Sequence, residues 1–387
     1  MSSRGPSQEG VVSGIDVLGG GGLRLRFRAG RIERSEPGGK GPFVGPGLVD
    51  LQLNGFRGLD FNTLPVPPDL PGDVTRELYK EGVTSYLATV ITNSPSAIEE
   101  AVRAIARACA ADPEADAAIA GIHLEGPFIA REDGPRGAHE RKYVRAPDWG
   151  LVRRWQEEAE GRIRLVTMSP EWPGSPAFIR TCVAHGIAVS IGHTAATPEE
   201  IRQAVRAGAS LSTHLGNGAH LTLPRHPNYL WEQLAQDALR ACIIADGFHL
   251  PDSVIKVVMR VKGANAMLAS DAVYLSGLAP GRYTTHIGGK VVLTRDGRLH
   301  LASNPKLLAG SVMMLRQGVD HLVRAGLCDL AEAWEMASTR PAEALGLAAR
   351  RGLRPEAPAD VVVFERSQGR VVIRETWKGG RLVHGGK

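Results

Sequence analysis

Four side chains in this 387-residue sequence are of types that activate water, and each stands where a short apolar run gives way to glycine, proline or polar residues. Glu125 follows Ala117 to Leu124 and meets the Gly126-Pro127 turn. His193 follows Val189-Ser190-Ile191-Gly192, His214 follows Leu211-Ser212-Thr213, and Asp271 follows Leu268-Ala269-Ser270. A single histidine or carboxylate at such a place is usually a hydrogen-bonded structural group. The same placement four times over is harder to explain by structure alone. One carboxylate with two imidazoles makes a three-ligand set that leaves a fourth position for water, which is the composition of a catalytic zinc site and also suits iron or another divalent ion. Such an ion lowers the pKa of water and polarises a carbonyl, and Asp271 is then the natural general base and later acid.

These residues need a scaffold that delivers strand ends to one place. Apolar strand candidates run over Gly47 to Leu53, Val83 to Val90, Ala117 to Leu124, Arg164 to Met168, Ile187 to Ile191, Ser210 to Thr213, Ala241 to Ala245 and Ala266 to Ala269. Between them lie helical stretches at Asp73 to Lys80, Ser96 to Ala110, Ala146 to Glu160, Ser175 to Ala184, Thr197 to Ala207, Tyr229 to Gln236 and Pro251 to Val261. Pro198 just after Thr197, with Glu199 and Glu200 in the first turn, is a strong helix start. Eight strand units alternating with helices predict a (β/α)8 TIM-type barrel, whose site is built at the C-terminal strand ends. An open doubly wound sheet is the poorer alternative, because no Gly-x-Gly-x-x-Gly opens a helix.

Both ends of the chain read as β structure, with period-two alternation in Leu23 to Phe27 and strands at Ala359 to Phe364 and Arg370 to Thr376. The expectation is a small β-sandwich domain formed from both termini, residues 1–45 with 350–387, flanking a catalytic barrel over 46–349. The net charge of +5 is spread among acids, as in Arg131-Glu132-Asp133, and no basic tract appears, so nucleic acid is not expected as a partner. No run of about 18 apolar residues predicts a membrane span, and Met1 to Gly10 lacks the layout of a secretory signal. Cys109, Cys182, Cys242 and Cys328 are scattered, which reads as free thiols in a cytoplasmic protein. His123 lies inside a strand and reads as a core histidine, His185 and His321 as ordinary helix residues, and Asp246 beside Gly247 as a turn residue.

At the strand ends the sequence resembles a known family. His123-Leu124-Glu125-Gly126-Pro127-Phe128, Gly192-His193-Thr194, Thr213-His214-Leu215 with Asn217, Ala245-Asp246-Gly247-Phe248-His249 and Leu308-Ala309-Gly310-Ser311 are similar to the motif series of N-acetylglucosamine-6-phosphate deacetylases, within the amidohydrolase superfamily. The likeness spans nearly the whole chain. It implies metal ligation by Glu125, His193 and His214 and acid/base chemistry by Asp271. It further implies substrate contacts from Ala138, Asn217, Gly218, His249, Leu308, Ala309 and Gly310, with His249 near the scissile amide. Arg225 falls where the family places an arginine for the sugar phosphate across a dimer interface, so a homodimer acting on an amino-sugar phosphate is expected.

Many amidohydrolases carry His-x-His on the first strand to hold a second metal. Here the segment reads Gln52-Leu53-Asn54, and neutral amides are poor zinc ligands, so one metal is expected. The resemblance also departs from the family. Where members read Asn-Ala-Met-Pro and Arg-Glu-Pro-Gly, this chain has Asn217-Gly218-Ala219-His220 and Arg225-His226-Pro227-Asn228. His220 and His226 read as surface residues. The changed loop keeps two alternatives open: an amidohydrolase acting on another N-acyl amino sugar or a cyclic amide, and a barrel that binds an amino-sugar phosphate without turnover.

Overall fold

The computed structural model describes residues 9–286 and 289–386, so all but the last two residues of Met1 to Gly10 lie outside it. Eight parallel strands form one sheet in chain order: Leu48–Leu53, Val83–Ile91, Ile119–Glu125, Ile163–Met168, Ala188–Ile191, Leu211–Ser212, Arg240–Ile243 and Ala266–Leu268. Helices cover the outside, so the strands are buried on both faces and read as nearly continuous apolar runs. The period-two rule sorts those runs. Val49, Leu51, Leu87, Leu165, Leu211, Cys242 and Met267 form one cluster, while their chain neighbours Leu48, Tyr86, Ala88, Val166, Ala241 and Leu268 belong to another. The first cluster is the barrel interior, packed further by Ala342 and Leu345.

Nearer the strand ends the interior becomes polar. His123 Nδ1 donates to the Leu51 carbonyl at 3.0 Å, so its Nε2 accepts from the Thr167 hydroxyl at 2.7 Å. Thr167 in turn meets Thr213 Oγ1 at 2.6 Å, which also meets Ser190 Oγ at 2.6 Å. Burial pushes the His123 imidazole down to about 4, so it is a neutral core residue that ties three strands together beneath the site.

The seam between the first and eighth strands is not laddered like the others. Asp50 Oδ1 accepts the amides of Gln52 and Ser270, both at 3.2 Å, and Asn54 N donates to Ala272 O at 2.9 Å. Asp50 is fully buried, and burial pushes its carboxyl up to about 6. Because this folded-state value lies above the unfolded 3.8, the group favours folding most below 3.8, and that contribution is lost as pH rises through about 6. The stability of the wild type relative to Asp50→Asn is therefore expected to fall across that window and level off above it. Urea unfolding at several pH values checks this, and a flat difference contradicts it.

Helix boundaries follow local chemistry. Pro198–Ala207 begins with a reciprocal capping box between Thr197 and Glu200 and ends at Gly208. Leu70–Lys80 starts three residues before the sequence-based boundary, with Pro71 in its first turn. One feature lies outside the sequence reading altogether: a three-stranded antiparallel sheet, Gly281–Thr285, Gly289–Leu293 and Leu299–Leu301, inserted after the eighth barrel strand.

The chain ends build a separate, mostly antiparallel seven-stranded sheet from Gly10–Asp16, Gly22–Arg28, Arg31–Pro37, Phe43–Pro46, Val361–Ser367, Arg370–Lys378 and Arg381–His384. Trp334 joins it to the barrel, stacking on Phe364 at 4.1 Å and donating Nε1–H to Pro46 O at 2.9 Å. Among the described residues no helix is long and apolar enough to cross a membrane.

Candidate active site

The third barrel strand ends in Glu125, and the chain must turn at once. Gly126 has φ 83°, and a Cβ there would sit 2.1 Å from Thr92 Oγ1, so only glycine fits the turn. His193 and His214 stand just beyond the fifth and sixth strands, and Asp271 just beyond the eighth. All three adopt left-handed backbone, with φ of 49°, 31° and 47°. Such a conformation costs a non-glycine residue on the order of 1–3 kcal/mol and persists where the surroundings impose it, as at functional sites. Here it turns each side chain off its strand towards the barrel mouth.

The result is a close cluster. Glu125 Oε1 lies 3.2 Å from His193 Nε2 and 3.1 Å from His214 Nε2, and the two Nε2 atoms are 3.0 Å apart. His193 Nδ1 donates to the Pro135 carbonyl at 2.8 Å, which fixes the tautomer and leaves a lone pair on Nε2. All three ligand atoms fall within 4.8 Å of one another and are buried. A carboxylate oxygen and facing imidazole nitrogens at this spacing suit a shared cation. Burial, the largest single influence on Glu125, raises its pKa. The two imidazoles outweigh it and hold the carboxyl well below its usual range.

Gln52 and Asn54, at the end of the first barrel strand, both serve as donors. Gln52 Nε2 donates to Glu125 Oε1 at 2.7 Å and to Asp271 Oδ1 at 2.9 Å, and Asn54 Nδ2 donates to Asp271 Oδ1 at 2.8 Å. Asp271 Oδ1 is therefore taken up by two amides, which leaves Oδ2 for chemistry. Burial first, and the Glu125 charge second, push the Asp271 carboxyl up to about 7, in the range a general acid/base needs at neutral pH.

A cavity of about 470 Å³ opens over this cluster. Its wall includes Glu125, His193, His214 and Asp271 together with Ala138, Asn217, Gly218, His249, Leu308, Ala309 and Gly310. Arg225 is not brought there; its side chain is exposed, on the loop that departs from the family pattern. Asn217 Nδ2 is buried without a partner. Gly218, at φ 56°, passes so near the cluster that a Cβ would lie 2.8 Å from His193 Nδ1. Asp246 performs the turn role expected of it, accepting the amides of Phe248 and His249 at 2.9 and 2.8 Å. It also does more, because Oδ2 holds His249 Nδ1 at 2.6 Å and orients the ring.

One reading changes and one residue is added. His220 is half-buried, with Nδ1 3.0 Å from the Tyr229 hydroxyl and Nε2 2.9 Å from Glu132 Oε2, so it bridges two loops; His226 is exposed. His139, which strand-end reasoning passes over because it lies on a loop, places Nε2 3.2 Å from His193 Nε2. Burial pushes its imidazole down to about 3, so it stands neutral beside the cluster. Its place in Gly137-Ala138-His139 was the available signal.

An eight-stranded barrel with a carboxylate, two histidines and an aspartate at the ends of its third, fifth, sixth and eighth strands fits the amidohydrolase family, whose sequence model matches residues 43–383. The chain belongs to that family, whose members are metal-dependent, and within it to the N-acetylglucosamine-6-phosphate deacetylases. The enzymes of that name from Homo sapiens and Lysinibacillus sphaericus are 33% and 31% identical to it. The first alignment covers 93% of this chain and 88% of the human protein, and the second covers 89% and 86%. Among solved structures, the N-acetyl-D-glucosamine-6-phosphate deacetylase of Mycobacterium smegmatis superimposes with a TM-score of 0.86 at 27% identity, over 97% of this chain and all of that one. A mutant of that enzyme is known in complex with N-acetyl-D-glucosamine-6-phosphate.

Proposed function

We propose that this chain hydrolyses the acetamide of N-acetyl-D-glucosamine 6-phosphate to glucosamine 6-phosphate and acetate. The observation that carries this reading is the convergence of Glu125, His193 and His214 at 3.0–3.2 Å, with Gln52 bonded to both Glu125 and the raised-pKa Asp271. Glu125, His193 and His214 would hold one divalent ion, with zinc the first choice and iron or another divalent ion the alternative. That ion, when bound, would polarise the acetyl carbonyl and acidify water.

The chain's own groups do the rest. Asp271 Oδ2 takes a proton from the attacking water as the new C–O bond forms. It returns that proton to the nitrogen as the C–N bond breaks, so the amine leaves neutral. Gln52 and Asn54 keep Oδ1 occupied and the carboxylate in one orientation. With Nδ1 held by Asp246, the His249 ring is fixed on the cavity wall and offers Nε2 as a hydrogen-bond partner for the substrate near the scissile amide or a ring hydroxyl. The unpartnered Asn217 Nδ2–H is a donor for a sugar or phosphate oxygen. Leu308, Ala309, Gly310, Ala138 and Gly218 shape the wall.

Arg225 is assigned to the sugar phosphate of the partner subunit in a homodimer, a role that suits an exposed guanidinium outside its own chain's cavity. A cytoplasmic location belongs to the same reading, supported by four free thiols. Arg225→Ala is expected to raise KM for the phosphorylated sugar about ten-fold or more, the scale of one lost charge-assisted hydrogen bond, with a smaller effect on kcat. Steady-state acetate release checks this. The reading as a whole is tested by comparing acetate release from N-acetylglucosamine with and without the 6-phosphate. A strong preference for the phosphorylated sugar supports it, and indifference to phosphate moves the substrate to another N-acyl amino sugar.

A further inference from the structure

Arg225 lies outside the cavity of its own chain, yet that cavity carries cations of its own. Residues 273–312, which contain the small three-stranded sheet, form one wall, and they contribute Arg298, Lys306 and His286 but no carboxylate. The carboxylates on the wall are Asp60, Glu125 and Asp271, two at barrel strand ends and one on the loop after the first strand. Charge is thus divided between the two sides of the cavity. His286 Nε2 lies 3.5 Å from Asp60 Oδ2 and links the sides.

Arg298 and Lys306 flank the short strand Leu299–Leu301 and are tied together through Pro305. Arg298 Nη2 donates to Pro305 O at 2.7 Å, and the Lys306 amide donates to Asn304 Oδ1 at 3.1 Å. The chain pairs back on itself through an antiparallel bridge, His300 with Leu308. Arg298 immediately precedes the strand Leu299–Leu301, Lys306 lies in the turn that returns the chain to Leu308, and both line the cavity together with Leu308. A lone exposed lysine is normally just solvated, and an arginine on a carbonyl can be purely structural. Two observations go against that reading here. Among the described residues Lys306 has no carboxylate partner and Arg298 has only the neighbouring Asp296, whose carboxyl it helps to lower, and both cations line the same cavity as Glu125, His193 and His214. One carbonyl also leaves most of the five guanidinium N–H donors free.

We propose that Arg298 and Lys306 form a phosphate grip supplied by the same chain, holding the dianionic phosphomonoester end of the substrate across the cavity from the Glu125 cluster. The chemistry matches: a guanidinium offers a fork of donors to two phosphate oxygens, and an ammonium adds a compact charge for the third. The inference rests on the deacetylase reading above and deepens it. Phosphate recognition becomes a property of each chain, to which the partner's arginine adds.

The test is calorimetric, on the metal-loaded enzyme, with glucosamine 6-phosphate and glucosamine as probes. The quantity read is the ratio of their Kd values. In the wild type the phosphorylated sugar is expected to bind at least 100-fold more tightly. Lys306→Met and Arg298→Ala are each expected to shrink the ratio about ten-fold or more, and the double variant further. Arg298→Ala also removes the bond to Pro305, but Lys306→Met leaves every backbone bond of the turn in place and so reads the charge alone. A wild type that discriminates beside a Lys306→Met/Arg298→Ala variant that discriminates equally overturns the grip and leaves the substrate reading standing. A wild type that binds both sugars alike overturns both.

Discussion

Asp271→Asn is expected to fold normally, bind its metal with the wild-type stoichiometry and turn over about 10²–10⁴-fold more slowly, the usual cost of removing a positioned general acid/base. The reason lies in how the carboxylate is held. Oδ1 accepts from Gln52 and Asn54, so an asparagine with its carbonyl oxygen at that position keeps both bonds while replacing the reactive Oδ2 with an amide nitrogen that cannot take a proton. Without a cation, burial and Glu125 push the acid up to about 7. A positive charge in the Glu125 cluster opposes both causes, so the acid limb of kcat/KM is expected below pH 7, with activity lost as the carboxylate protonates. The limb should vanish from the residual activity of Asp271→Asn. Circular dichroism, metal analysis and a pH–rate profile read these effects, and near-normal turnover by the variant would rule the role out.

Glu125→Ala is expected to remove stoichiometric metal binding, and with it all turnover above background. Its Oε1 is the common point of the cluster, touching His193, His214 and Gln52. Truncation leaves two imidazoles and no carboxylate, which is too few ligands for tight zinc binding. Truncation also deprives the two imidazoles and the Gln52 amide of their buried partner, so the metal-free variant is expected to be less resistant to urea than the metal-free wild type. Dialysis against a chelator followed by metal titration separates the two properties. One equivalent of tightly bound ion in Glu125→Ala would exclude it as a ligand.

How far the sequence speaks depends on the kind of signal. The barrel strands were legible because burial on both faces leaves long apolar runs, and Ser175–Ala184 and Pro198–Ala207 because proline and capping residues mark their starts. The positions of Glu125, His193, His214 and Asp271 were legible because a polar residue ending an apolar run is a local pattern. That Gln52 would bridge Glu125 and Asp271 was not, since it depends on how the seam between the first and eighth strands closes. His139 was passed over because a loop has no period to mark it. The insertion bearing Arg298 and Lys306 escaped because its strands are short, half-exposed and interrupted at Gly289 and Gly297, so no apolar run announces them. Arg225 shows the reverse case, where the family motif marks a residue that the single chain leaves outside its cavity.

The central claim is that one divalent ion, held by Glu125, His193 and His214, serves deacetylation of the phosphorylated sugar. Titrating chelator-treated enzyme with zinc while following acetate release from N-acetylglucosamine 6-phosphate tests it most directly. The account predicts activity rising linearly to a break at one equivalent per chain, with acetate and glucosamine 6-phosphate formed one to one. Full activity in the metal-free enzyme, or a break at two equivalents, would contradict it.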